Sequence, residues 1–155
     1  MTHSVTKRSA APLVFAALLM GAPSVDAADS PIGTYLKKAE AGKPAMTMTI
    51  EQWAPGKAKL TYRIQDPPIV LTVASALDGS ESPVLMNGKP SGETMAIKLL
   101  DKLHSSTIVK MNGKPLGTSK GRFSPDFSTL TVENDFSGAG AGGVAGKSTE
   151  RWIRK

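Results

Sequence analysis

Three patterns in the chain bring together residue types that can do chemistry. Ala141-Gly142-Gly143-Val144-Ala145-Gly146-Lys147-Ser148 fits the phosphate-loop spacing of a small residue, four spacers and Gly-Lys-Ser. Such a loop works by handing phosphates to the amides and dipole of a helix N-terminus. Only Thr149 to Lys155 follow, too short and too strand-like for that helix, and no later strand can supply a magnesium-binding aspartate. The segment therefore predicts a glycine-alanine loop joining the last two strands, and no nucleotide partner.

His104 stands close to Asp101, Ser105 and Ser106, the residue types of a nucleophilic triad. Closeness in sequence counts against them, because neighbours on a strand point to opposite faces. His104 shares its face with Ser106 and Lys110, not with Ser105. No Gly-x-Ser-x-Gly nucleophile elbow occurs. A solvated strand histidine is the expectation; no catalytic residue is assigned, and the chain is read as a non-enzyme.

Met46-x-Met48 puts two thioethers on one strand face, a set that can hold Cu(I), with Met86, Met95 and Met111 also in the chain. Metal sites otherwise draw on clustered histidine, cysteine or carboxylate ligands. Here there is no cysteine and, beyond His3, only His104. Methionine also fills irregular interiors, and the alternation runs on into Ile50 as a core would, so no metal and no cofactor are expected. Nucleic-acid binding calls for exposed aromatics among basic residues. The few aromatics sit at apolar-parity positions, so no nucleic-acid partner is expected.

The elements that position these residues read as short strands separated by turns. Residues 45–51 alternate with Met46, Met48 and Ile50 on one face; residues 59–64 do the same with Leu60, Tyr62 and Ile64; Pro55-Gly56-Lys57 turns between them. Asp66-Pro67-Pro68 breaks the chain, residues 69–73 resume as a more buried run, and Asp78-Gly79 predicts another turn. Residues 93–99 carry Met95, Ile97 and Leu99, residues 103–111 are rich in β-branched side chains, and residues 129–136 alternate cleanly. Asn112-Gly113 suits a type I′ hairpin turn, in which both central residues need positive φ. The same chemistry explains why Met86 to Gly92 echoes Met111 to Gly117. Ser124-Pro125-Asp126 is a further turn, and Ser148 to Lys155 is a closing strand. A single turn of helix around Leu36 to Ala41 is the most helix the pattern allows. About 8–10 short strands with tight connections predict an all-β, up-and-down antiparallel barrel, with a β-sandwich as the alternative.

Residues 1–27 have the form of a cleaved signal peptide: Lys7 and Arg8, an apolar run from Ala10 to Ala22, then small residues at Val25 and Ala27. That run is too short for a membrane-spanning helix, and no cysteine follows it for a lipid anchor. Residues 28–155 are then one exported domain, periplasmic or extracellular, with no transmembrane segment and no disulfide framework. The whole chain has 19 basic and 13 acidic residues, and residues 110–155 hold eight basic against four acidic. A basic end of this kind attracts anionic surfaces.

Pro31-Ile32-Gly33-Thr34-Tyr35 resembles the Gly-x-aromatic opening of lipocalin-like barrels. Ser124-Pro125-Asp126, then Thr129-Leu130-Thr131-Val132 and an aromatic in the final strand, resemble bacterial secreted lipocalin-like (calycin-like) proteins. The resemblance implies a barrel able to hold an apolar ligand and supplies no catalytic residues. Two functions are expected on these grounds. One is an exported non-enzymatic carrier of a small apolar or amphipathic ligand, its interior lined by Met46, Met48, Ile50, Leu60, Tyr62, Ile64, Met95 and Ile97. The other is an envelope interaction protein with a filled core, meeting anionic lipid or glycan through Lys37, Lys38, Arg151, Arg154 and Lys155, which strand closure would gather.

Overall fold

The computed structural model describes residues 29–39, 45–54, 56–138 and 145–155. Residues 1–27, expected to be a signal peptide, and most of the glycine-alanine segment expected to be a loop lie outside these. Ten strands run in chain order: β1 Gly33–Lys37, β2 Met46–Ala54, β3 Lys57–Ile64, β4 Ile69–Ser75, β5 Asp78–Met86, β6 Lys89–Leu99, β7 His104–Met111, β8 Lys114–Phe123, β9 Thr129–Phe136 and β10 Gly146–Arg154. Each pairs antiparallel with the next, and β10 returns to β1 with Tyr35 opposite Arg154 and Leu36 opposite Ile153. The fold is a closed up-and-down barrel in which every strand has a pairing neighbour on each side. The described residues include no helix.

Alternation explains the walls. Met46, Met48 and Ile50 point inward from β2, Ala58 and Leu60 from β3, and Leu71 and Val73 from β4, all nearly or fully buried. A bulge between Ile50 and Gln52 shifts the register, so Trp53 rather than Gln52 turns inward. The hairpins β5–β6 and β7–β8 turn at Asn87-Gly88 and Asn112-Gly113, where both residues have positive φ (50° and 80°, 50° and 77°). The repeated Met-Asn-Gly-Lys-Pro segment is thus one turn chemistry used twice.

One end of the barrel is plugged by rings. Phe123 stacks obliquely or edge-on against Tyr35, Trp53 and Phe127 with centroids 6.0, 5.8 and 5.5 Å away, the geometry that aromatic quadrupoles favour.

Two local expectations are corrected. Leu36 and Lys37, expected in a turn of helix, belong to β1, because the closing strand β10 offers them a pairing partner. Asp78-Gly79 does not reverse the chain. The reversal falls at Ala76 and Leu77 (φ 60°), and Asp78 begins β5, its carboxylate accepting the N–H of Ser80 at 2.8 Å.

Candidate ligand cavity

The inner faces of the strands leave a cavity of about 160 Å³. One wall is apolar. Met46, Met48, Ile50, Leu60 and Leu71 border it from β2 to β4, continued by Met95, Ile97 and Val109. Seven of the eight residues expected to line the interior do so; Ile64 instead packs at the margin of the core. Tyr62 meets Trp152 edge-on, with ring centroids 6.1 Å apart. Burial pushes its phenol far above the ordinary range, and the nearby Glu150 and Glu93 carboxylates add to this. Tyr62 therefore stays a neutral donor.

The opposite wall carries a polar row among apolar neighbours that include Leu130, Val132 and Phe136. Pairing registers place Thr107 opposite Ser119, Ser119 opposite Asn134, and Asn134 opposite Ser148, one row around the inside of β7 to β10. Ser119 Oγ donates to Asn134 Oδ1 at 2.7 Å, and Asn134 Nδ2 donates to Ser148 Oγ at 3.4 Å. Ser105 borders the cavity one inward position along from Thr107. Its hydroxyl has room because Gly121 faces it: an added Cβ there would stand 2.6 Å from Ser105 Oγ.

Two carboxylates also border the space, Glu93 on β6 and Glu150 on β10. Lys37 Nζ bonds Glu150 Oε1 at 2.8 Å, and Trp152 Nε1 donates to Glu150 Oε2 at 3.2 Å. Lys37 also lies 5.5 Å from the centre of the Trp152 ring. Its charge is thus spent on an inward partner.

This changes the composition of the expected basic group. Lys37 is buried and faces inward, since β1 alternates with Tyr35. Arg154 folds over the barrel end, where Nη2 donates to the carbonyls of Ser30 (2.7 Å) and Ile32 and the guanidinium lies 5.7 Å from the Tyr35 ring centre. Lys38, Arg151 and Lys155 remain exposed. Sequence reasoning missed a larger feature on the same outer wall. Arg122 pairs across to Thr131 and Thr131 to Arg151, so two exposed guanidiniums flank one threonine.

The other candidate chemistries separate in space. His104 Nδ1 lies 2.8 Å from the Asp101 carboxylate on the outer side, while Ser105 faces the cavity. Gly146, Lys147 and Ser148 lie within strand β10, where a phosphate loop would need a helix; Ala141 to Val144 lie outside the described residues. Met46, Met48 and Met95 share the interior, whereas Met86 is exposed. Among the described residues no three histidine or carboxylate side chains cluster as metal ligands would, and no helix is long and apolar enough to cross a membrane.

Comparison with protein-family models, with curated proteins and with solved structures gave no match.

Proposed function

We propose that this protein is an exported, non-enzymatic binding protein whose barrel holds one small amphipathic molecule. The observation that carries this reading is a space of about 160 Å³ bounded by thioethers and aliphatic groups on one side and hydroxyls on the other. The lipocalin-like opening at Gly33-Thr34-Tyr35 and the signal-like first 27 residues support it.

The volume limits the ligand. Sites for drug-sized molecules run from roughly 300 to 1,000 Å³. An apolar cavity of about 150 Å³ holds benzene. A fatty acid or sterol is therefore too large, and the fitting occupant is a compact molecule built on about one ring.

Methionine methyl groups give a direct test. In the protein lacking residues 1–27, toluene should shift the methyl resonances of Met46, Met48 and Met95 saturably, leaving exposed Met86 unmoved. If neither toluene nor p-cresol moves any of the three lining methyls near its solubility limit, the carrier reading is wrong.

A second reading rests on the outer wall, where Arg122 and Arg151 make no ion pair among the described residues and Lys120 adds a third exposed cation. This face fits an anionic envelope surface. Retention on anionic vesicles should fall steeply as salt shortens the Debye length from about 30 Å at 0.01 M to about 8 Å at 0.15 M. Salt-independent retention, or none at low salt, would remove this reading.

A further inference from the structure

Building on the carrier reading, we infer that the ligand is a single-ring compound bearing a neutral hydroxyl on one edge, a phenol- or catechol-class molecule, and not a carboxylate. One polar row crosses β7 to β10 part-way along the interior, with Val132 and Phe136 to either side of it and the apolar residues of β2 to β4 across the space. Met48, Ile50 and Leu60 form an apolar wall, while Thr107, Ser119, Asn134 and Ser148 form a polar row across four adjacent strands, hydrogen-bonded from Ser119 through Asn134 to Ser148. At about 4.8 Å between strands, that row is about 14 Å long, longer than one ring. A head-and-tail amphiphile would need its polar group at one end of an apolar tunnel. A ring with a polar edge lays one face on the thioethers and aliphatics and turns its edge to the row.

The chemistry of the row sets the polar group. Ser119 spends its hydrogen on Asn134 and keeps oxygen lone pairs; Asn134 spends one amide hydrogen on Ser148 and keeps a second. The row thus both accepts and donates, as a hydroxyl does. A second hydroxyl beside the first would span from Ser119 to Asn134. An anion fits poorly: among the described residues the cavity lining includes Glu93 and Glu150 but no lysine or arginine. Lys37, whose ammonium lies near this lining, is held by Glu150 at 2.8 Å. A carboxylate entering this space would give up its water with no lysine or arginine among the described lining residues to take its charge. The ring itself suits Met46, Met48 and Met95, since thioethers make favourable contacts with aromatic edges.

Three probes of nearly equal size separate the possibilities in the protein lacking residues 1–27, read through the Met48 methyl resonance: toluene, p-cresol and benzoate at neutral pH. The expected result is p-cresol binding about five- to tenfold more tightly than toluene, the gain of one net hydrogen bond, with no saturable shift from benzoate. Ser119→Ala should bring the p-cresol preference down toward parity. The wild-type series alone suffices if that variant fails to fold. Toluene binding as tightly as p-cresol, or benzoate matching it, overturns this inference and leaves the cavity standing. Failure of both p-cresol and toluene overturns the carrier reading itself.

Discussion

Tyr35 in the first strand donates its phenol hydrogen to the carbonyl oxygen of Phe127, 92 residues further along the chain, across 2.9 Å. Both residues are fully buried. The bond ties β1 to the turn between β8 and β9, and the Phe123 ring packs against both side chains. Phe127 holds a positive φ of 54°, an uncommon state for a bulky residue, so its surroundings must hold it there. Tyr35→Phe keeps the ring and removes only the donor. It should cost about 1 kcal/mol and lower the melting temperature by about 4 °C. A variant as stable as the parent would mean that the Phe127 carbonyl is equally well satisfied without the phenol.

Lys37 and Glu150 act as one unit, and their separate and joint replacement should show it. Lys37→Met leaves the Glu150 carboxylate with Trp152 Nε1 as its remaining bond and should cost about 3 kcal/mol, as breaking a largely buried pair does. Adding Glu150→Gln removes the stranded charge while keeping an oxygen for Trp152. The double variant should come back to within about 1 kcal/mol of the parent by urea denaturation. Additive losses would show that the two side chains do not share their stabilisation.

The same pair shows where sequence reading reaches and where it stops. Period-two alternation revealed β2, β3 and β9 because most of their inward residues are apolar (Asn134 on β9 is the exception), so burial and composition tell nearly the same story. On β10 the inward residues are Ser148, Glu150 and Trp152, and on β1 they are Tyr35 and Lys37. Polar side chains that satisfy one another inside a barrel look identical, in sequence, to side chains facing water. Trp152 held the missing clue: granting that it points inward makes Glu150 and Ser148 point inward too. Their partners Lys37 and Asn134 follow only from strand register, a long-range property that no local pattern contains. Strand β5 went unseen for a related reason, since Ser80-Glu81-Ser82-Pro83 has no apolar alternation and is held by pairing with β6.

Gly117 marks the closest approach of β8 to β9. A Cβ added there would lie 2.2 Å from Phe136 Cδ1 and 2.3 Å from the backbone oxygen of Asp135. A side chain can swing aside, but a backbone carbonyl cannot move without disturbing the sheet. Gly117→Ala should therefore destabilise the barrel by about 3 kcal/mol, at the upper end of overpacking effects. Gly138→Ala is the comparison, since its nearest neighbour is the mobile tip of Leu116 at 3.2 Å, and it should cost less than about 1 kcal/mol. Equal stability of the two variants would place the strand contact elsewhere.

Asp126 holds the turn on which the Tyr35 bond depends. One carboxylate oxygen accepts from Ser124 Oγ at 2.6 Å, Ser128 Oγ at 2.8 Å and Ser128 N–H at 3.1 Å. The Ser124 hydroxyl, then the Ser128 N–H and hydroxyl, bring its pKa from an ordinary 3.8 down to about 2. A carboxyl whose folded pKa is lowered binds its proton more weakly in the folded chain than in the unfolded one. Its stabilising effect is complete above its ordinary value and fades as the pH drops toward 2. Asp78, Glu81 and Asp101 are also lowered and titrate over the same acid range, so the whole protein's acid unfolding cannot isolate this turn. The difference between the parent and Asp126→Asn can. Measured by urea unfolding, that difference should stay level from neutral pH to about 4 and shrink steadily as the pH falls to about 2, where the folded chain's Asp126 has taken up its proton about half of the time. A difference that stays constant down to pH 2 would mean that the charge of Asp126 contributes nothing to holding the turn.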